Sequence, residues 1–210
     1  TNGSIHASTG AITAGSGTAG SAVGIELGST VTGTGNLNVF GASTGNIGLR
    51  LISSASISGG NIQATGRTTN GANGVLLNGS NAITTTGTSG ASLVRGINTN
   101  GGTHALLGSA GLTLTAASGS SLTLWGDGTS TTSVAASFDG GVSNVGAIIN
   151  GAVTLRGTSN NQTALMLTNG AVTANANSAL TLQGTTSGAG RNGVETVTAP
   201  FVSIKAVWLL

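Results

Sequence analysis

The chain has 210 residues, a formal net charge of +2 and no cysteine, and only 5% of its residues are charged. This composition excludes a disulfide-stapled scaffold and a cysteine-ligated metal site, and the scattered Lys and Arg residues form no basic run of the kind that binds nucleic acid. Hydrophobic residues still make up 38% of the chain, which is more than a disordered segment of such low net charge normally contains.

Three series of short apolar alternations recur along the chain, and each alternation predicts a β-strand. The first ends on Gly in most copies, and its copies begin at Ile12, Leu37, Ile62, Leu93, Leu122, Val153, Leu180 and Val202. The second begins at Ile25, Leu49, Val75, Ala105, Val134, Leu165 and Val194. The third begins at Val31, Ile57, Ile83, Leu112 and Val172. Gly and Asn between the strands are expected at corners that require positive φ.

A repeat of this length is too short to bury its own apolar face, whereas stacking on its neighbours buries a continuous column of side chains. We therefore predict an all-β fold, a parallel β-solenoid (β-helix) of about seven coils of about 24 to 31 residues, with three short strands per coil. Parallel crossovers are normally right-handed, which favours a right-handed coil. The inward positions are predicted to include Ile25, Leu27, Leu49, Leu51, Val75, Leu77, Leu122, Leu124, Leu180 and Leu182.

The whole chain, residues 1–210, is interpreted as a single β-helix segment. It starts in repeat-like sequence without an initiator Met, and we expect it to be a fragment of a longer protein.

Three runs, at residues 108–119, 11–15 and 177–182, resemble the repeat region of filamentous haemagglutinin-type exoproteins, which are bacterial two-partner-secretion proteins. Autotransporter passengers are similar in composition. The resemblance implies a long right-handed β-helix that is exported through an outer-membrane transporter. It further implies a secreted or cell-surface location and a role in an adhesin or a delivery filament.

Catalytic β-helices that cleave polysaccharides need carboxylates, often paired or holding Ca²⁺. The acidic residues of this chain are Glu26, Asp127, Asp139 and Glu195. The repeat puts Glu26 and Glu195 on the same strand type about six coils apart. Asp127 and Asp139 are each followed by Gly, which favours turns over a catalytic pair.

His6 and His104 are about four coils apart in the predicted fold, too far to share a metal ion. With no catalytic constellation and no ligand cluster in the sequence, we predict no catalytic site, no metal site and no cofactor, and no nucleic-acid partner.

One outward column is a candidate ligand-binding surface. Arg95, Trp125 and Arg156 precede the Gly of consecutive copies of the first series, so they are expected within ~5 Å of their neighbours. Such a column would stack a sugar ring on Trp125 and hold an acidic group with the arginines. The alternative, which we favour from sequence, is an exposed ledge without a ligand.

The sequence thus predicts a non-enzymatic extracellular shaft of a bacterial adhesin or delivery filament, with possible contacts to host or bacterial glycans or a cell-surface receptor. A first alternative is a fibre subunit that stacks end to end, because Lys205 alone interrupts the apolar run at residues 201–210. A second is an ice-binding solenoid with a regular Thr-x-Thr array, which we expect the repeats between Thr30–Thr32 and Thr113–Thr115 to break. A polysaccharide-degrading β-helix is the least favoured.

Overall fold

The structure is a computed structural model that describes residues 5–7, 12–15, 20–70, 72–109, 111–129, 134–139, 145–169 and 171–197. Within these ranges the regular elements are β-strands, with no helix. The strands form three parallel sheets, here named A, B and C, and the chain passes from A to B to C before it returns to A one level further on. The predicted parallel β-solenoid is therefore confirmed. Its hand and the number of coils stay predictions, as does the single segment of residues 1–210.

Each sheet contains seven strands within the described residues. Sheet A consists of β1 (Ile5–Ala7), β4 (Val31–Gly33), β7 (Ser56–Gly59), β10 (Ala82–Thr85), β13 (Leu112–Thr115), β16 (Val145–Asn150) and β19 (Ala171–Ala174). Sheet B consists of β2 (Ile12–Gly15), β5 (Asn36–Ser43), β8 (Asn61–Thr68), β11 (Gly90–Asn98), β14 (Ser120–Gly128), β17 (Ala152–Ser159) and β20 (Ala179–Thr186). Sheet C consists of β3 (Ile25–Leu27), β6 (Leu49–Ile52), β9 (Asn73–Asn78), β12 (His104–Gly108), β15 (Ala136–Asp139), β18 (Leu165–Thr168) and β21 (Val194–Val197).

The core is a continuous stack of aliphatic side chains between the three sheets. In sheet B, for example, Val94, Leu124 and Leu155 are register partners on adjacent strands and are at most 1% exposed. Of the ten predicted inward residues, eight are buried, and Ile25 and Leu27 are partly buried against the same core. Each buried layer depends on the layers above and below it, as expected for a repeat architecture.

The register of sheet B differs from the sequence prediction at β11. The copy of the first series in this strand was predicted to begin at Leu93, but Ser92 occupies that register position. Ser92 pairs with Leu122 and is 2% exposed, while Leu93 faces outward. The Ser92 hydroxyl accepts a hydrogen bond from Ile62 N (2.9 Å) and donates one to Asn61 Oδ1 (3.0 Å). These bonds satisfy a polar side chain at a buried position, which a pattern of apolar letters does not reveal.

Two members of the second series were also misplaced. Leu106 and Ala136, instead of Ala105 and Val134, are the register partners of Val75 and Leu165 in sheet C.

The Gly that ends the motif does not form a corner, contrary to our expectation. It lies inside the sheet B strands as a register column of Gly41, Gly66, Gly96, Gly126, Gly157 and Gly184. A Cβ built on Gly96 would lie 1.9 Å from the Ala105 carbonyl oxygen. The glycine is therefore required because the backbone that enters sheet C crosses directly over the strand of sheet B. Positive-φ turn glycines do occur elsewhere, for example at Gly119.

A buried polar ladder fixes the turn from sheet B to sheet C. Ser43, Thr68, Asn98 and Ser159 occupy one register column, interrupted by Gly128, and are at most 1% exposed. Ser43 Oγ and Ser159 Oγ each accept a hydrogen bond from the backbone N–H three residues on, at 2.9 and 3.1 Å. Such side-chain bonds to the following turn are the usual role of Ser and Asn at chain reversals, and here they stack from level to level.

Candidate ligand-binding surface

The outward column predicted on sheet B is present in the structure. Arg95 pairs with Trp125 across β11 and β14, and Trp125 pairs with Arg156 across β14 and β17. Phe40 and Thr65 continue the same column towards the first strands, and Gln183 continues it on β20. The position directly before the motif Gly was therefore sufficient to bring the three residues together.

The three side chains form a stack that we call the Arg-Trp-Arg stack. The guanidinium carbon of Arg95 is 4.1 Å from the centroid of the Trp125 ring, and that of Arg156 is 4.3 Å from it. Because the two arginines lie on the strands flanking that of Trp125, they cover the two faces of the indole ring. Each contact is a cation–π interaction worth about 0.5–1 kcal/mol at an exposed site. A sugar ring would have to displace a guanidinium before it could stack on Trp125.

Asp127 belongs to the same surface, which the sequence did not predict. Its carboxylate Oδ2 accepts a hydrogen bond from Arg95 Nη2, and its side chain is only 15% exposed. Asp127 lies within β14, so the expectation of an Asp-Gly turn at this position was wrong. The strand continues because Asp127 pairs in register with Ile97 and Thr158 on the neighbouring strands.

The indole nitrogen is fixed as well, since Trp125 Nε1 donates a hydrogen bond of 3.1 Å to Thr158 Oγ1.

The two arginines are electrostatically different. Arg95 is neutralised by Asp127, whereas Arg156 is in neither of the ion pairs found among the described residues. Arg156 is therefore the group in the stack that retains capacity for an external anion.

The other carboxylates are engaged and dispersed. Glu26 forms an ion pair with Arg50 on the adjacent strand, and Glu195 Oε2 accepts a hydrogen bond of 3.0 Å from Thr163 Oγ1. As predicted, Glu26 and Glu195 lie in one register column at opposite ends of sheet C. Asp139 is the last residue of β15, and its side chain lies outside the described part.

His104 is a half-buried residue at the start of β12. Its Nδ1 donates a hydrogen bond of 2.8 Å to the Val134 carbonyl oxygen. Burial lowers the pKa of this imidazole from its ordinary value of 6.5, an effect that the hydrogen bond to Val134 opposes. The side chain of His6 lies outside the described part. Among the described residues no group of three or more His, Asp or Glu side chains could hold a metal ion.

A shallow groove of about 390 Å³ lies where sheet A turns into sheet B, around Ser118, Gly119 and Asn177. Its lining consists of Ala, Ser, Gly and Asn residues, without an ionisable group. It therefore offers no acid or base for hydrolysis.

The outer face of sheet A differs from the other two in its chemistry. Its strands contain no Asp, Glu, Lys or Arg. One outward rank is Thr32, Ser58, Thr84, Thr115 and Asn150, and the rank beside it is Ser56, Ala82, Thr113, Ile148 and Thr173. As expected, the intervening repeats break the Thr-x-Thr array, because β7 has Ser56 and Ser58 and β10 has Ala82 and Thr84 at these positions. The ranks between β4 and β13 are nevertheless filled by small, mostly hydroxyl-bearing residues.

Comparison of the chain with protein-family models, curated proteins and solved structures finds no match. The resemblance to filamentous haemagglutinin-type repeats thus rests on the sequence pattern. The described residues also contain no helix that is long and apolar enough to span a membrane.

Proposed function

We propose that the chain is a non-enzymatic shaft segment of a bacterial surface adhesin or delivery filament. The observation that carries this proposal is the unbroken stack of buried layers through β5 to β20. In such a stack every added level extends the rod by one strand spacing, about 4.8 Å. Length is then set by the number of repeats, which is what a spacer between a cell and a terminal module requires.

The state of the carboxylates supports a role without catalysis. Glu26 and Asp127 are each held by an arginine, and Glu195 is held by a threonine. No two of these three groups are near enough in register to act as an acid and a base on one glycosidic bond. The bacterial surface, and export through an outer-membrane transporter, enter the proposal from the sequence resemblance.

We further propose that the Arg-Trp-Arg stack gives the shaft a weak contact with acidic glycans. The unneutralised Arg156 supplies the charge for a sulfate or carboxylate group, and Trp125 and Arg95 hold Arg156 in position from below. One exposed charge contact contributes little by itself, so the contact would matter through repetition along a filament.

The shaft proposal is tested by inserting one, two and three copies of the chain between a membrane anchor and a fluorescent domain, and measuring the height of that domain above the membrane. A shaft predicts equal increments per copy, whereas a flexible linker of equal length gives sublinear growth. Release of reducing ends from a panel of polysaccharides would contradict the non-catalytic part of the proposal.

Sheet A gives a specific reason to keep ice binding as a second candidate function. Neighbouring strands lie about 4.8 Å apart and outward residues about 6.6 Å apart along a strand, so hydroxyl and methyl groups form a charge-free grid. The measurement is thermal hysteresis of the purified chain. Thr84→Tyr on sheet A should abolish any activity, and Thr154→Tyr on sheet B should preserve it.

The alternative of a fibre subunit that stacks end to end depends on residues 201–210. These residues lie outside the described part, so this alternative stays a prediction from the sequence.

A further inference from the structure

The chain contains eight Asn-Gly pairs, the dipeptide in which a side-chain amide is most easily attacked by the following backbone nitrogen, because Gly has no side chain to hinder closure. We propose that Asn100 is the preferred site of spontaneous deamidation in the folded protein. In two of the other Asn-Gly pairs a stacked neighbour occupies the attacking nitrogen, and two more are restrained by burial or by their backbone.

The reaction has two steps and needs only water. The Gly101 nitrogen loses its proton to hydroxide and attacks Cγ of Asn100, and ammonia leaves as a five-membered succinimide closes. Water then opens either carbonyl of the ring and gives aspartate or isoaspartate. A backbone N–H that already donates a good hydrogen bond must break it before it can attack.

Two Asn-Gly pairs, of which Asn78 is exposed and Asn150 is half-buried, are protected in this way by a serine from the next level of the solenoid. Gly79 N donates a hydrogen bond of 3.2 Å to Ser109 Oγ, and Gly151 N donates one of 3.0 Å to Ser178 Oγ. In the second pair the reacting amide is also held, because Asn150 Nδ2 donates to Thr115 Oγ1 and its Oδ1 accepts from Asn175 Nδ2.

Two more pairs are restrained by burial or by their backbone. Asn73 is 6% exposed, and its Oδ1 accepts a hydrogen bond from Thr103 Oγ1. The Asn192 and Gly193 carbonyl oxygens accept hydrogen bonds from Ala164 N and Leu165 N, at 3.1 and 3.0 Å. Closing a ring there would rotate a backbone that anchors β18.

Asn100 and Gly101 are both exposed, and within the described part of the chain neither the Asn100 side chain nor the Gly101 N–H makes a hydrogen bond. Asn192 is exposed as well, but the Asn192 and Gly193 carbonyl oxygens anchor the next strand, whereas those of Asn100 and Gly101 accept no hydrogen bond from another level among the described residues. The turn is nevertheless held on both sides, because Asn98 Oδ1 accepts from Gly102 N and Asn98 Nδ2 donates to the His104 carbonyl oxygen. The reactive dipeptide is therefore presented at the tip of a turn whose base is fixed.

Asn2-Gly3, Asn70-Gly71 and Asn169-Gly170 include residues outside the described part, and Asn100 is preferred among the other five pairs. At Asn100 the product replaces a neutral amide by a carboxylate. In a chain with four acidic residues, this adds a fifth negative charge on the turn between sheets B and C.

The test is to incubate the folded chain at mildly alkaline pH, digest it, and quantify aspartate and isoaspartate in each Asn-Gly peptide by mass spectrometry. A parallel incubation in urea gives the intrinsic rate of each pair. We expect Asn100 to react in the folded chain at nearly its unfolded rate, and Asn78 and Asn150 to be slowed about two- to tenfold or more by their hydrogen bonds.

Matched variants separate protection from intrinsic reactivity. Ser109→Ala should raise the folded-state rate at Asn78 without changing that at Asn100, and Ser178→Ala should do the same at Asn150. Asn100→Gln should abolish the aspartate and isoaspartate that form fastest in the folded parent. If Asn78 or Asn150 in the folded parent reacts as fast as Asn100, or if neither serine variant accelerates its partner, the proposal is overturned.

Discussion

The guanidinium of Arg95 covers one face of the Trp125 ring at 4.1 Å and at the same time donates a hydrogen bond to Asp127, which is two residues beyond Trp125 on the same strand. Arg156 covers the opposite face at 4.3 Å without a carboxylate of its own. The two arginines therefore have different roles on one surface. Arg95 holds the carboxylate of Asp127 in place, whereas Arg156 supplies a positive charge for an external anion.

This difference predicts unequal costs of removing them. Arg95→Ala leaves the carboxylate of Asp127, only 15% exposed, without its partner and should lower the free energy of unfolding by about 1.5–3 kcal/mol. Arg156→Ala loses a cation–π contact and should cost about 0.5–1 kcal/mol. Denaturant unfolding of both variants measures the order. Equal losses would show that Asp127 does not depend on Arg95.

The same difference predicts the behaviour towards glycans. Retention of the chain on a sulfated glycan column should fall in Arg156→Ala and decrease with salt. Asp127→Asn should increase retention, because it frees the charge of Arg95. A neutral glycan column is the control. Retention that is unchanged in both variants would make the stack a purely structural feature.

The buried column predicts a strong contrast between adjacent residues of β14. Leu124 is fully buried, whereas Thr123 faces outward. Leu124→Asp should cost about 4 kcal/mol or more, because it removes a buried aliphatic side chain and introduces an unpaired charge. Thr123→Asp should change the free energy of unfolding by about 0.5 kcal/mol or less. If Thr123→Asp lowered the free energy of unfolding more than Leu124→Asp, then Thr123 and not Leu124 would face the core.

The in-strand glycines predict a second contrast. Gly96→Ala places a methyl group 1.9 Å from the Ala105 carbonyl oxygen and should lower the free energy of unfolding by about 2 kcal/mol or more. The matched control is Gly28→Ala, whose methyl group meets only Ile52 side-chain carbons, at 3.7 Å or more. If the two variants have the same melting temperature, the backbone of sheet C does not approach Gly96 closely enough to exclude a methyl group.

Burial of His104 predicts a loss of stability in acid. Its pKa is lowered in the folded chain, so the unfolded chain binds the proton more tightly, and stability is lost as the pH falls below the unfolded value of 6.5. His104→Asn keeps a donor for the Val134 carbonyl and removes the titration. Melting temperatures between neutral and mildly acidic pH should fall less in this variant than in the parent. If the melting temperature of the variant fell as much as that of the parent, the loss of stability in acid would come from another titratable group.

The sequence predicted those features that depend on apolar alternation in phase. The three-strand repeat, most inward Leu, Ile and Val residues and the alignment of Arg95, Trp125 and Arg156 all follow from spacing. The alternation is ambiguous where apolar residues are consecutive, as at Leu93 and Val94, and there the buried Ser92 was missed. Polar residues such as Ser43 and Asn98 carry no apolar signal, so the corner ladder was not predicted.

Two further differences come from contacts between strands that are distant in sequence. The motif Gly is set by the approach of the next sheet, and Asp127 is set by Arg95, which is 32 residues away. Local composition favours a turn at both Gly and Asp-Gly. The register between the sheets overrides that preference. The sequence alone does not show how closely the backbone of sheet C approaches the motif Gly, or that Arg95 contacts Asp127.

Successive repeats stack in parallel and in register. This stacking is tested most directly by distances between spin labels on engineered cysteines, since the chain has no cysteine of its own. Asn38, Thr154 and Thr181 belong to one outward column of sheet B. In-register stacking predicts about 19 Å between the backbones at residues 38 and 154, and about 24 Å between those at residues 38 and 181. Distances that do not increase by one strand spacing between these pairs would contradict the solenoid.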